Sequence, residues 1–198
     1  MSRWLFGGYW SAMSVESTVL QDIMLLSRAA QLVLQEEVLS ELKEAELGAT
    51  KLNVLRLLCR NHKQSVNDLS RFLGQTKAAA SQNVDSLVTA GLVRRETDKV
   101  DRRCVWISLT RKGQRILERA EAIQGKLVRG ALAGLPRAPL LKLSKGMRSL
   151  ALSILSSSPT HSESCLHCCA YNDTGCVYEG SRWQCTYRLR LLSRAREG

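Results

Sequence analysis

Apolar positions along this chain recur first at steps of three and four residues. Val19, Ile23, Leu26, Ala30, Val33, Leu34 and Val38 follow that rhythm, so residues 15–46 predict one long amphipathic helix with Gly48 as its stop. Such a stripe at the edge of a small domain needs a partner, either within the chain or on a second subunit. Thr50 is a candidate N-cap for a second helix, with Leu52, Val54, Leu55, Leu57 and Leu58 as its apolar positions and the polar run 61–64 as its break. Ser65 is placed to cap a short helix from Val66 to Leu73, ended by Gly74. Thr76 opens the next, which runs to about Ala90 and stops at Gly91. Helix, glycine turn, helix at this spacing is the helix-turn-helix arrangement.

The rhythm then changes to two. Leu92–Glu96 and Cys104–Leu109 predict strands, the second alternating Val105, Ile107 and Leu109 against Cys104, Trp106 and Ser108. The intervening TDKVDRR is polar and charged, so the pair reads as a β-hairpin with a charged tip. Thr110 caps a further helix, about Arg111 to Arg129, interrupted by Gly130, Gly134 and Pro136. A last helix covers roughly Pro139–Leu155, and residues 156–164 have the composition of a Ser/Pro linker. The expected fold is mainly α with a small β-hairpin wing, in the order of a winged helix-turn-helix.

Charge sharpens this picture. The chain of 198 residues carries a net +11, and the excess is localised. Residues 50–115 hold fourteen Lys/Arg against five Asp/Glu, whereas residues 14–47 hold two against seven. A basic middle behind an acidic first helix points to a focused polyanion site, with double-stranded DNA as the expected partner. A membrane surface is the alternative. It lacks a Lys/Arg-rich amphipathic helix with a Trp/Phe face, and no apolar run reaches the roughly 18 residues of a membrane span, so no membrane partner is expected. The first residues, MSRWLFGGYWSAM, make a poor signal peptide because their apolar part is short and Gly-interrupted. They read as a leader, with Met13 as a second candidate start beside Met1.

The chemistry of the middle segment fits groove reading. The helix from Thr76 presents Gln75, Thr76, Lys77, Ser81, Gln82 and Asp85 near its N-terminal half. Gln and Asn side chains pair with adenine edges, and Lys pairs with guanine or phosphate. Ala78, Ala79 and Ala80 let a helix backbone sit deep in a groove, where their methyls can meet thymine. Val84, Leu87 and Val88 point the other way and fix the helix on its domain. At the hairpin tip Lys99, Arg102 and Arg103 suit a narrow minor groove or the phosphate backbone, with Asp101 orienting an arginine.

The run from Leu52 to Gly113 resembles the MarR family of winged-helix transcriptional regulators. The pieces that carry the resemblance are the helix pair around Leu69 and Leu73, KAAASQNVDSLVTAGLVRR (77–95) and DKVDRRCVWISLTRKG (98–113). The resemblance is strong over about a third of the chain. It implies a homodimer in which the first and last helices of two subunits interlock. It also implies repression from a palindromic operator, with release by a small phenolic effector or by thiol oxidation. By position, Lys77 to Asn83 become the base-reading stretch and Asp101, Arg102 and Arg103 the wing. Residues 1–14 are then a leader, 15–49 an N-terminal dimerisation helix, 50–112 the DNA-binding domain, 113–156 the C-terminal dimerisation helices and 157–198 a cysteine-rich tail.

That tail is the remaining chemistry. Five of seven cysteines fall within residues 165–185, an odd count and without a good signal peptide, which favours metal or redox chemistry in a reducing cytoplasm over a secreted disulfide framework. Cys165 and Cys168 form a Cys-x-x-Cys knuckle, followed by Cys176 and Cys185, with Cys169 and His167 as substitute ligands. Four thiolates suit tetrahedral zinc; an iron–sulfur cluster, a metal-free thiol sensor and a functionless tail are the alternatives. Cys59, beside apolar helix positions, reads as a small buried hydrophobe, and Cys104 stands at the start of a wing strand. No enzyme is expected: three histidines, no nucleophile–base set and no Gly-rich phosphate loop are present. A protein-interaction adaptor on a winged-helix scaffold is the rival reading.

Overall fold

The computed structural model describes residues 14–43, 47–61, 63–98 and 102–157. The leader, Lys99 and Asp101 of the hairpin tip, and the tail with Cys165, His167, Cys168, Cys169, Cys176 and Cys185 lie outside the described residues.

The chain opens with α1 (Val15–Gln31), whose N-cap Ser14 accepts a hydrogen bond from the Ser17 amide. It passes through wider π-helical turns (Leu32–Glu37) into α2 (Val38–Leu42). The expected stop at Gly48 is corrected to Lys43, which takes a left-handed φ of 53°. Burial explains the early stop: Leu42 already lies in the core, and the chain must turn to return Leu47 to it. Gly48 serves the next helix instead, because its carbonyl accepts from the Leu52 amide at 3.0 Å. Helix α3 (Ala49–Asn61) therefore starts ahead of Thr50, which lies in its first turn and not at its cap.

Helix α3 is the hub. Leu52, Val54, Leu55, Leu57 and Leu58 are all buried, and α3 packs against α4 (Val66–Leu73), α5 (Lys77–Thr89) and α6 (Arg111–Leu132). Leu69 and Phe72 of α4, Val84 and Leu87 of α5, and Ile116, Leu117 and Ala120 of α6 complete the core. Closing it are β1 (Lys63–Gln64), β2 (Val93–Thr97) and β3 (Val105–Leu109), an antiparallel sheet in the order β1-β3-β2. The expected two-stranded hairpin is thus a three-stranded sheet. The polar run 61–64 does break α3, but Lys63 and Gln64 pair with Ser108 and Ile107 of β3. Ser108, placed on an outward face by alternation, is buried because β3 is central and Arg94 Nε bonds its Oγ at 3.0 Å.

The last helix, α7 (Arg137–Ser157), begins ahead of Pro139, whose missing N–H costs nothing in a first turn. Neither α1 nor α7 packs extensively on the core. No residue of α1 is buried, and Leu143, Met147, Leu150 and Ile154 lie exposed at i, i+4, i+7 and i+11 along α7.

One polar knot joins α5, the sheet and α6. Helix α5 ends in a Schellman motif: Gly91, at φ +69°, donates to the Val88 carbonyl, and Leu92 donates to Leu87. Thr110 then binds this turn from three sides. Its amide donates to the Leu92 carbonyl at 3.0 Å, its Oγ1 reaches the Gly91 carbonyl at 2.8 Å, and the same Oγ1 accepts from the Gly113 amide as the N-cap of α6. The Leu-Thr-x-x-Gly run is therefore the clamp that fixes the wing root to the end of α5.

Candidate nucleic-acid interface

Two short helices set the angle of the candidate reading surface. Helix α4 starts in a capping box: the Asp68 amide donates to Ser65 Oγ at 3.1 Å, and the Ser65 amide donates to Asp68 Oδ2 at 3.4 Å. It ends at Gly74 (φ 60°) with Gly74 donating to Arg71 and Gln75 donating to Ser70. One residue later Thr76 caps α5, its Oγ1 accepting from the Ala79 amide at 3.2 Å. Both ends of the turn are satisfied by these local bonds, which fix the entry angle of α5.

The exposed face of α5 carries Lys77, Ala78, Gln82, Asp85 and Thr89, with Ser81 half-buried among them. Its first turn contains no acidic residue, so nothing opposes a phosphate at the positive helix end. Thr76 is exposed beside it and keeps a hydroxyl hydrogen to donate. Ala80 faces the opposite way and is buried with Val84 and Leu87, so its methyl packs the core and cannot touch a base. Gln75 and Asn83 are both half-buried and bond to each other, Asn83 Nδ2 to Gln75 Oε1 at 3.2 Å. At roughly 100° per residue, Asn83 lies on the flank of α5, well away from the face of Lys77, Ala78 and Gln82. Asp85 is held at 2.6 Å by Arg95 of β2, a pair that ties the helix to the wing.

In the wing, the Asp98 amide donates to the Cys104 carbonyl at 2.9 Å and closes the loop that carries Arg102 and Arg103, both exposed. Arg94, Glu96, Trp106 and Ser108 share one face of the sheet with Lys63, as their register requires. Lys63 Nζ and Arg94 Nε lie 2.5 Å and 2.7 Å from the Glu96 carboxylate. The Lys63 hydrogen bond, helped by the charge of Arg94, holds the Glu96 carboxyl below the ordinary carboxylate range. Trp106 Nε1 donates to Asp98 Oδ2 at 2.6 Å.

Sequence reasoning missed four of these features. It left out the third strand, the Asp85–Arg95 tie, the Glu96 cluster and the indole–carboxylate bond. A two-residue strand has no periodicity to read, and Asp85 looks the same whether it is solvated or paired across the fold. Trp106 did carry a signal: an aromatic on the polar side of an alternating strand needs a partner for its N–H. Of the cysteines, Cys59 is half-buried against the core with its Sγ 3.5 Å from Gln114 Oε1, and Cys104 is half-buried beside the wing loop.

A helix pair with a capped second helix, free of acid in its first turn, and a cation-bearing hairpin defines the class of winged helix-turn-helix proteins. Residues 46–103 match the MarR_2 family model, described as MarR family, and the fold of the chain is that of MarR-family winged-helix regulators. BldR, a transcriptional regulator from Sulfolobus solfataricus, is similar with 25% identity and a TM-score of 0.56, over 71% of this chain and 99% of that one. A MarR family protein from Bacillus stearothermophilus shares 23% identity and a TM-score of 0.60, over 72% of this chain and 99% of that one. The organohalide-sensing RdhR transcriptional regulator in its 2,4-dichlorophenol-bound form shares 20% identity and a TM-score of 0.57, over 75% and 88%. No curated protein matches the chain significantly. Among the described residues no helix is long and apolar enough to cross a membrane.

Proposed function

We propose that the chain is a DNA-binding transcriptional repressor that acts as a homodimer on a palindromic operator. The observation that carries this reading is the exposed, acid-free N-terminal half of α5 beside a wing bearing Arg102 and Arg103. Lys77, Ala78, Ser81 and Gln82 face the bases, Thr76 and the amides of the first turn hold a phosphate, and the wing arginines grip the flanking backbone. Replacing Arg102 and Arg103 together with alanine weakens binding to all duplexes alike and makes log K less steep in log salt, by about 0.9 for each phosphate no longer neutralised. Replacing Gln82 changes base preference instead. Affinity that survives the double wing change unaltered contradicts the wing's role. Absence of duplex binding at low salt favours the adaptor.

Two exposed apolar stripes support the homodimer. The face of α1 with Val15 and Leu26, and that of α7 with Leu143, Met147, Leu150 and Ile154, are exposed and have no cover among the described residues. Their charges are complementary: residues 14–47 are acidic, whereas Lys126, Arg129, Arg137, Lys142, Lys145 and Arg148 fill residues 122–157 without one Asp or Glu. The dichlorophenol-bound relative suggests a small aromatic effector as the releasing signal.

For the tail, the proposal is a zinc site formed by Cys165, Cys168, Cys176 and Cys185, with Cys169 or His167 able to substitute. Metal analysis of protein purified without air gives about one zinc per chain, lost on changing Cys165 and Cys168 to serine. A brown protein with cysteine-dependent visible absorption replaces zinc with an iron–sulfur cluster, and metal-free protein leaves a thiol sensor.

A further inference from the structure

Wing cations act on DNA best from a loop that is already in place, and among the described residues the start of the wing loop has an anchor that no backbone rule requires. We propose that Trp106 is a positioning residue for the wing, acting through Asp98; the proposal rests on the DNA-binding reading above. Three observations carry it. Trp106 lies on the outer face of the sheet, opposite Glu96 in the register, where core packing does not call for an indole. Its Nε1 donates to Asp98 Oδ2 at 2.6 Å, a short bond to a charged acceptor. Asp98 is also the residue whose amide closes the loop onto the Cys104 carbonyl.

Asp98 is thereby fixed at both its backbone and its side chain. The loop leaves β2 from a point that cannot swing, and Arg102 and Arg103 follow within five residues. The Lys63–Glu96–Arg94 cluster lies on the same face as the indole and ties β1 to β2 there. Without the indole bond the loop keeps its cations but must be ordered at the moment of binding, and ordering one backbone residue corresponds to about a 5- to 30-fold loss of affinity.

The test uses the full chain and a duplex selected by that chain from a random pool. Trp106→Phe keeps an aromatic ring but cannot donate. It is expected to bind every duplex about 5- to 30-fold more weakly, with an unchanged salt dependence, unchanged base preference and a melting temperature far above that of the assay. Asp98→Ala gives the same loss, and the double variant is no weaker than either single one, because both remove the same bond. Asp98→Asn, which still offers a carbonyl to the indole, retains most of the affinity. Binding by Trp106→Phe equal to the parent's overturns the proposal, as do additive losses in the double variant. A parent chain that binds no duplex overturns the DNA-binding reading itself, and the two failures are therefore distinct.

Discussion

Replacing Met147 and Ile154 with glutamate is expected to convert the proposed dimer to a monomer that no longer distinguishes a two-fold operator from a single half-site. Both side chains are exposed in the single chain, at 42% and 47%, so the change costs the isolated subunit little. In a two-fold dimer each change is made twice, so four apolar side chains leave the interface. With under half of each side chain left to bury, at about 0.7–1.4 kcal/mol apiece, the loss is about 3–6 kcal/mol before the larger cost of burying four carboxylates is counted. A dimer of nanomolar affinity, roughly 12 kcal/mol, does not survive that at micromolar concentration. Sedimentation measures the mass, and circular dichroism checks that helix content is unchanged. A dimer that persists at micromolar concentration contradicts the role given to α7.

The second large effect is on folding itself. Gly113→Ala places a methyl against the carbonyl oxygen of Leu92 and 2.9 Å from Leu109 Cδ1; the leucine tip can rotate away, but the backbone oxygen cannot. The Leu92 carbonyl accepts from both the amide and the Oγ1 of Thr110 and belongs to the turn that ends α5, so relief must come from shifting α6 away. That shift pulls Ile116, Leu117 and Ala120 from the core. Overpacking of a rigid site costs about 1–3 kcal/mol, and here the upper end or beyond is expected because the collision is with backbone. A thermal melt reads the loss as a fall of many degrees. Gly146→Ala is the control, since a Cβ there meets nothing within 4 Å. A Gly113→Ala protein as stable as the parent contradicts the clamp.

The element order was legible in the sequence because its signals are local. Ser65, Thr76 and Thr110 each cap the helix their spacing predicted, and Gly74 and Gly91 take the left-handed conformation that ends a helix. What was not legible depends on contacts between distant segments. Nothing in the 61–64 run announces that Lys63 and Gln64 find an open edge of β3, or that α2 must stop at Lys43 so that Leu47 can return to the core. The candidate reading surface divides in the same way. Lys77, Ala78 and Gln82 are exposed as helix periodicity requires, whereas the Asn83–Gln75 bond and the Asp85–Arg95 pair arise from how α5 meets its turn and the wing.

Titration of the purified protein against duplex DNA over a salt series, with sites selected from a random pool, tests the DNA-binding role most directly. Predicted are one dimer per duplex, an inverted repeat with half-sites about one helical turn apart, and log K falling linearly with log salt by about 0.9 per phosphate engaged. A chain that stays monomeric and leaves every duplex unbound in dilute salt, with its thiols reduced and with metal supplied, contradicts that role.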